Sequence, residues 1–450
     1  MYDSAQMDET SRQQVDLIRE AFYYQSRFDG RVMVIKTDYP LIRDRHFASL
    51  MRDLALLART GIRLVVVPGA KEWIDAVLAE YDIESSYANG LRVTGADAIP
   101  FVKMAAFDVA SQIVSGFAAN DCEAVIGTFV RARGLGVIDG MDFQHTGTVD
   151  RIRTDTIRTV LDSGLIPVIP CIGWSASGRC YNLSSDAIAL ELCRSLNPAK
   201  FFVLSAHDGL KSDELVLPAG LGGNPEGRLA RLRPSEARDI LVHNKAKGTS
   251  DETRRALADL SLAVRASEAG VERVQIVDGR REGAILRELF SNLGVGTMIH
   301  ADEYESIRPL QTDDIGEVLR IMQDAMEKGI LLRRNAEDIL DRKDDYIVYE
   351  VDGSIHGSAA LHDQGEGQAE IAALAADSEY AALGIGRRMV RYLLDRARER
   401  GYARVFVLTT RTGDWFEQQG FRAVSSETLP PKKRNAYDKK RNSTVFAMDL

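Results

Sequence analysis

The stretch "EIAALAADSEYAALGIGRRM", Glu370 to Met389, decides how the C-terminal third folds. Small apolar residues in "EIAALAA" suit a strand with another segment lying close against it. Downstream, Met389, Val390, Leu393, Leu394 and Ala397 recur at helical spacing, and Gly401 marks the stop. Gly384 and Gly386 therefore stand where a loop becomes a helix N-terminus. Free backbone N–H groups and the helix dipole make such a place an anion site, and missing side chains let a phosphate approach. A purely structural turn is the equal rival for a lone G-x-G. The stretch is not a dinucleotide fingerprint, because Met389 occupies the third-glycine position and the next strand closes on Thr409 and Thr410 instead of an acid. No G-K-[ST] follows, which excludes a Walker loop. A diphosphate cradle on a strand–loop–helix–strand unit remains.

Working outward, the unit that carries this stretch opens with a helix at 314–329. A hairpin follows at 345–361, turning at Asp352-Gly353, and a strand at 403–410 precedes a basic tail. The preceding polar run "HADEYESIRPLQTDD" (300–314) marks a boundary near residue 303. Before it, β-branched runs at 31–36, 63–69, 123–130, 165–173, 200–206 and 272–279 alternate with amphipathic segments such as 45–60 and 184–197. That alternation predicts an α/β fold, a mainly parallel sheet covered by helices on both faces. Residues 134–149, with Asp139-Gly140, read as a hairpin appended to that sheet. At the N-terminus, 11–27 place Val15, Ile18 and Phe22 at helical spacing, a stripe for its own domain or for another subunit.

A chain of 450 residues holds two or three domains. Its net charge of −9 gives no global attraction to nucleic acid or an anionic membrane. Four scattered cysteines and seven scattered histidines, without C-x-x-C or H-E-x-x-H, fit neither a disulfide frame nor a metal site. No basic-then-apolar leader and no apolar run of spanning length are read, so the expected compartment is the cytoplasm.

Residues 305–450 resemble a GNAT-fold acyltransferase, in which this loop wraps the pyrophosphate of coenzyme A. The family pattern is [QR]-x-x-G-x-[GA], and Ala381 departs from its first position. More narrowly, "GILLRRN" (329–335), "AEIAALA" (369–375), "VLTTRTGDWFEQQGF" (407–421) and "KRNAYDKKRNSTVF" (433–446) resemble the transferase half of bacterial N-acetylglutamate synthases. The resemblance implies acetyl transfer from acetyl-CoA, as cosubstrate, to L-glutamate. It assigns coenzyme binding to Leu374, Ala376, Gly384, Ile385, Gly386, Arg387 and Arg388, with backbone N–H groups around Ala373–Ala376 polarising the thioester carbonyl. An amine acceptor must shed its proton before attack, and Glu370 matches the family's base. An exposed edge-strand glutamate is the plain alternative. Glutamate brings two carboxylates, and Arg334, Lys433, Arg434, Arg441 and Ser443 match the positions that receive them. A solvated basic tail or a nucleic-acid patch is the alternative for 432–441, but "STVFAMDL" reads as a closing strand that holds this segment to the domain. Trp415 and Phe416 are expected to open a helix beside the coenzyme. With Cys193 the last cysteine, attack is expected to be direct, without an acetyl-cysteine intermediate.

The first 300 residues resemble the amino-acid kinase fold, through "VIK" (34–36), "GLRVT" (90–94), "GVIDGMDFQHTGTV" (136–149), "YNLSSDAIA" (181–189) and "VDGRREGAILRELFSNLGVGTMI" (277–299). Lys36, Asn182 and Asp186 correspond to kinase active-site positions. Catalytic members carry glycines after the first two strands. Here Thr37-Asp38-Tyr39-Pro40 supplies an anion, a ring and a residue without N–H. Two like charges ~4 Å apart repel by about 1 kcal/mol even in water. Phosphotransfer is therefore expected to be lost. In the resembling family this domain binds L-arginine and regulates the transferase, and the leading helix mediates assembly, with a hexamer suspected. The expected layout is an assembly helix at 1–28, an amino-acid kinase-like αβα sandwich at 29–302 and a GNAT domain at 303–450.

Overall fold

Val34, Val65 and Val67 project to one side of a sheet and Met33, Ile35, Leu64 and Val66 to the other, all fully buried. That alternation within continuous apolar runs requires both faces to be covered. In the computed structural model, two compact units form, Met1–Ala301 and Asp302–Leu450. It describes residues 18, 21–22, 25–88, 90–218, 221–224, 226–244, 250–290, 294–300, 305–351, 353–377, 384–437, 441 and 443–450. Val15 and Ala381 lie outside the described residues, while Ile18 and Phe22 are exposed.

The first unit is built on eight strands in the order Arg231–Leu232, Thr297–His300, Arg273–Asp278, Lys200–Ser205, Val32–Thr37, Arg63–Pro68, Ile166–Val168, Ala124–Ile126. The pairs are parallel except Arg273–Asp278 with Thr297–His300. Helices Phe47–Arg59 and Ile99–Ala118 cover one face, and Ser185–Leu196 and Asp251–Glu268 the other. Ser184 caps the helix Ser185–Leu196 by accepting the Ala187 N–H, and Asn197 ends it in the left-handed region.

Four details differ from the sequence reading. The run 123–130 contributes Ala124–Ile126 to the large sheet and Val130–Gly134 to a second, four-stranded sheet. The run 165–173 divides likewise into Ile166–Val168 and Ile172–Trp174, since Pro170 has no N–H for a ladder. The predicted hairpin forms at Asp139-Gly140, both at positive φ, but as its own two-stranded ladder between strands of the second sheet. Finally, Ile99–Ala118 is long and apolar enough to cross a bilayer by composition, contrary to the sequence reading. Its Val102, Val109, Ile113 and Phe117 are fully buried in the first unit's core.

In the second unit seven strands run in the order Glu305–Pro309, Tyr346–Val351, Ser354–Asp363, Gln368–Ala376, Arg404–Thr409, Thr444–Asp449, Arg422–Val424. Among the described residues, only Gln368–Ala376 and Arg404–Thr409 pair in parallel in this sheet. Helix Ile315–Glu327 packs Val318, Ile321 and Met322 on one face with Tyr346 and Val348. Helix Ile385–Glu399 packs Met389, Val390, Leu393, Leu394 and Ala397 on the other with Ile347 and Tyr349. A Cβ on Gly357 would meet Met389 Cε at 2.9 Å, so that helix lies close on the sheet.

Candidate active site

The parallel pair in the second unit is incomplete. Its ladder runs from Gln368↔Arg404 to Glu370↔Phe406, after which the two strands separate. Gln368–Ala376 remains paired on its other side, through a register shift at Ser358/Ala360, and Ala373 takes φ 52°. A non-glycine residue there is uncommon and marks a bulge that re-aims the strand. The wedge between the strands opens into a cavity of about 490 Å³, lined on its two walls by Glu370–Leu374 and Ala376 and by Val407–Thr409. That volume suits a small ligand or the acyl end of a larger one.

At one end of the wedge stands Gly384, at φ 76°, as N-cap of the fifteen-residue helix Ile385–Glu399. A Cβ on Gly386 would lie 3.3 Å from the Trp415 ring, so this turn and that indole are closely apposed. Gly384, Gly386, Arg387, Trp415 and Phe416 all line the cavity. Ile385 does not; it is buried in the core. Arg388 turns to donate to Tyr349 Oη at 2.9 Å. What both residues can offer at this end of the wedge is the backbone amides of the first helical turn.

Glu370 sits at the vertex of the wedge. It is 6% exposed on a strand paired on both sides, so the edge-strand alternative does not hold. Lys433 Nζ lies 2.7 Å from its Oε1, and Gln364 Nε2 donates to its Oε2 at 2.8 Å. His362, opposite it in register, is also buried and bonds Asp345 at 2.7 Å. Burial lowers the His362 pKa despite Asp345.

Arg334, Lys433, Arg441 and Ser443 reach the same cavity, with Ile330–Leu332 and Tyr437. Arg441 is fixed by donating to the carbonyls of Gly329 (3.4 Å) and Ile330 (2.5 Å). Tyr437 Oη donates to the Ser443 carbonyl at 2.5 Å. Arg434 is exposed, donates to the Glu427 carbonyl at 3.2 Å and does not line the cavity. Among the described lining residues, Arg334, Arg387, Lys433 and Arg441 are cations and Glu370 is the single carboxylate. Such a site selects anions.

Residues 29–217 match the amino acid kinase family and residues 313–421 the acetyltransferase (GNAT) family. An amino-acid acetyltransferase of Neisseria meningitidis serogroup B is 34% identical over 443 residues, 96% of this chain and 97% of its own. The Escherichia coli K12 amino-acid acetyltransferase is 32% identical over 446 residues, covering 97% and 98%. The chain belongs to the amino-acid acetyltransferases. It is therefore an acyltransferase, with the amino-acid kinase-like and GNAT folds in that order. The crystal structure of N-acetylglutamate synthase from Neisseria gonorrhoeae complexed with coenzyme A and L-arginine superposes with a TM-score of 0.78 at 33% identity, over 97% of this chain and 99% of that one.

This acetyltransferase carries a second set of polar residues at the strand ends of its first unit. Lys36, 3% exposed, lies 2.8 Å from Asp38 and 3.2 Å from Asp186. Burial opposes its charge, but Asp38, Asp186 and Asp259 prevail and raise its pKa. A Cβ on Gly69 would lie 2.1 Å from Asp38 Oδ1, so the carboxylate fills the space over the second strand's glycine. Asn182, buried, donates to Thr94 Oγ1 at 3.1 Å.

The sequence reading missed Gln364, Thr412 and Tyr437 as site residues. Tyr437 lies inside the motif "KRNAYDKKRN", which was its available signal. Gln364 had one as well: it stands six residues before Glu370, across a "QGEGQ" turn that returns the chain on itself.

Proposed function

We propose that the protein transfers the acetyl group of acetyl-CoA to L-glutamate, giving N-acetyl-L-glutamate and CoA, and that L-arginine regulates it. The observation that carries this reading is the convergence of four cations and one buried carboxylate on a wedge that ends at a glycine-bearing helix N-terminus. The diphosphate of the coenzyme meets the amides of Gly384–Arg388, with Arg387 beside it, and its pantetheine arm lies along Leu374 and Ala376. Arg334, Arg441 and Ser443 hold the acceptor's carboxylates. Glu370 takes a proton from the ammonium, directly or through water. The freed nitrogen bonds to the acyl carbon while backbone N–H groups of Ala373–Ala376 receive the developing negative charge. The C–S bond then breaks, and the thiolate leaves with a proton. No cysteine lines the cavity among the described residues, which favours direct attack over a thioester on the enzyme.

The first unit, residues 29–302 in this reading, binds L-arginine and transfers no phosphate. Asp38 and Asp186 stand as built-in anions on Lys36 where a kinase would present it to phosphate. Residues 1–28 serve assembly, with a hexamer as the expected form. The Neisseria gonorrhoeae synthase, crystallised with coenzyme A and L-arginine and also with coenzyme A and N-acetyl-glutamate, supports the ligand set.

Thiol release from acetyl-CoA against a panel of free amino acids, with the product identified by mass, tests the reaction. L-glutamate is the expected acceptor; preference for lysine or a polyamine would refute it. Adding L-arginine should change that rate, and no change in rate or thermal stability would remove the regulatory role.

A further inference from the structure

We propose that Lys433 is a latch on Glu370 that the acceptor's own carboxylates open, and that the closed latch stops water from consuming the acyl thioester. The proposal rests on the reading of Glu370 as the base. Its starting point is an asymmetry in how the two oxygens of that carboxylate are held.

Oε2 is bonded by Gln364, which is 9% exposed and does not line the cavity. Gln364 belongs to the turn closing the hairpin before Glu370, locked by its own N–H to the Gln368 carbonyl (3.0 Å) and by the Gln368 N–H to the Gly365 carbonyl (3.0 Å). This partner is fixed and out of reach of any ligand. Oε1 is bonded by Lys433, whose side chain lines the cavity and is 18% exposed. It projects from the five-residue helix Pro431–Asn435 on a flexible four-carbon stem. One hold is permanent and the other faces the ligand.

The arrangement has a chemical consequence. A carboxylate beside a thioester activates water as readily as an amine, and a cavity of this size admits water. Water oxygen would bond to the acyl carbon as its proton passed to Oε1. The C–S bond would break, and the thiolate would recover the proton, leaving acetate and CoA. With an ammonium 2.7 Å from Oε1, one lone pair of that oxygen is taken and its negative charge is countered, so less of it is left to draw a proton from water. A dicarboxylate entering between Arg334 and Arg441 offers Lys433 a new anion. Lys433 moves to it, Oε1 is released beside the incoming ammonium, and Gln364 keeps the carboxylate aimed. A base available only when the acceptor is present couples acetyl-CoA use to glutamate. A fixed ion pair, by contrast, would have no reason to expose its lysine to the ligand cavity.

The test measures acetyl-CoA cleavage without any acceptor in wild type, Lys433→Met and Lys433→Gln, with coenzyme A binding by calorimetry alongside. The latch predicts acceptor-free thiol release at least about tenfold faster in Lys433→Met, the factor one charge-assisted hydrogen bond represents, with acetate as product and kcat/KM for glutamate reduced. A merely structural lysine would lower both activities. Should Lys433→Met fail to bind coenzyme A, Lys433→Gln, similar in reach but neutral, carries the same expectation. Acceptor-free cleavage no faster than wild type in a variant that binds coenzyme A overturns the latch. If wild type makes no N-acetylglutamate at all, the acceptor reading fails instead, so the two failures are distinguishable.

Discussion

The two units both bring polar residues to parallel strands, and they treat them in opposite ways. In the first, Lys36 is satisfied from within by Asp38 and Asp186, and Asp38 occupies the space over Gly69. In the second, a parallel pair stops after three residues and the resulting wedge leaves Arg334, Arg387, Lys433 and Arg441 facing a cavity with one carboxylate among them. A cation whose charge is balanced by the fold holds structure, whereas cations outnumbering their anions hold a ligand. The contrast separates a Lys36 cluster balanced from within from a cavity whose lining cations outnumber its one carboxylate among the described residues.

The largest effect that sharpens this contrast belongs to Glu370→Gln. Loss of the base should reduce kcat by about 10²–10⁴-fold with coenzyme A affinity retained, measured by steady-state kinetics and calorimetry. Normal turnover across pH would remove Glu370 from the reaction. Next, Arg334→Ala should raise KM for glutamate by roughly 10–100-fold while leaving that for acetyl-CoA unchanged, since a lost guanidinium–carboxylate pair acts on the acceptor alone. Equal loss for both substrates would show that Arg334 supports the cavity wall.

On the other side of the comparison, Lys36→Met should leave acetyl transfer intact in solution assays and lower the first unit's stability by about 2 kcal/mol, because it strands two partly exposed carboxylates. ATP consumption by wild type with N-acetylglutamate, measured by a coupled ADP assay, would break the contrast outright. The smallest effect concerns a structural pair in the second unit. Asp314 accepts from Arg308 at 2.7 and 3.1 Å and from the Gln311 N–H at 2.6 Å. Burial works against its charge, yet these donors lower its pKa below the usual carboxylate value. Its stabilisation is therefore full above the unfolded-state pKa and is lost as pH falls through the lower folded-state value. Asp314→Asn should cost about 1.5 kcal/mol at neutral pH by chemical denaturation, with the difference from wild type closing in acid. A gap that stays constant down to pH 2 would contradict the assignment.

Much of this was legible in the sequence because it depends on periodicity. Met389, Leu393 and Ala397 mark a helix face, Val34 and Val65 mark a sheet covered on both sides, and Asp139-Gly140 marks a turn needing positive φ. What was not legible depends on contacts between distant segments. No local pattern says that a strand pair ends after Phe406, that Ala373 enters the left-handed region, or that Lys433 returns to Glu370 from 63 residues away. Arg434 illustrates the same limit: beside Lys433 in a basic run, it points to the Glu427 carbonyl instead of the cavity. Residue type predicted the charge of the site, and only the fold sorted which charges face it.

The most direct test of the central claim, that surplus cations around one base select a dicarboxylate amine, is the ratio of kcat/KM for L-glutamate over L-glutamine. The two differ by a single charge at nearly constant shape. The account predicts a preference of about 100-fold or more for glutamate, a size expected when a site built for a charged group meets its neutral analogue. Equal use of the two amino acids would contradict it.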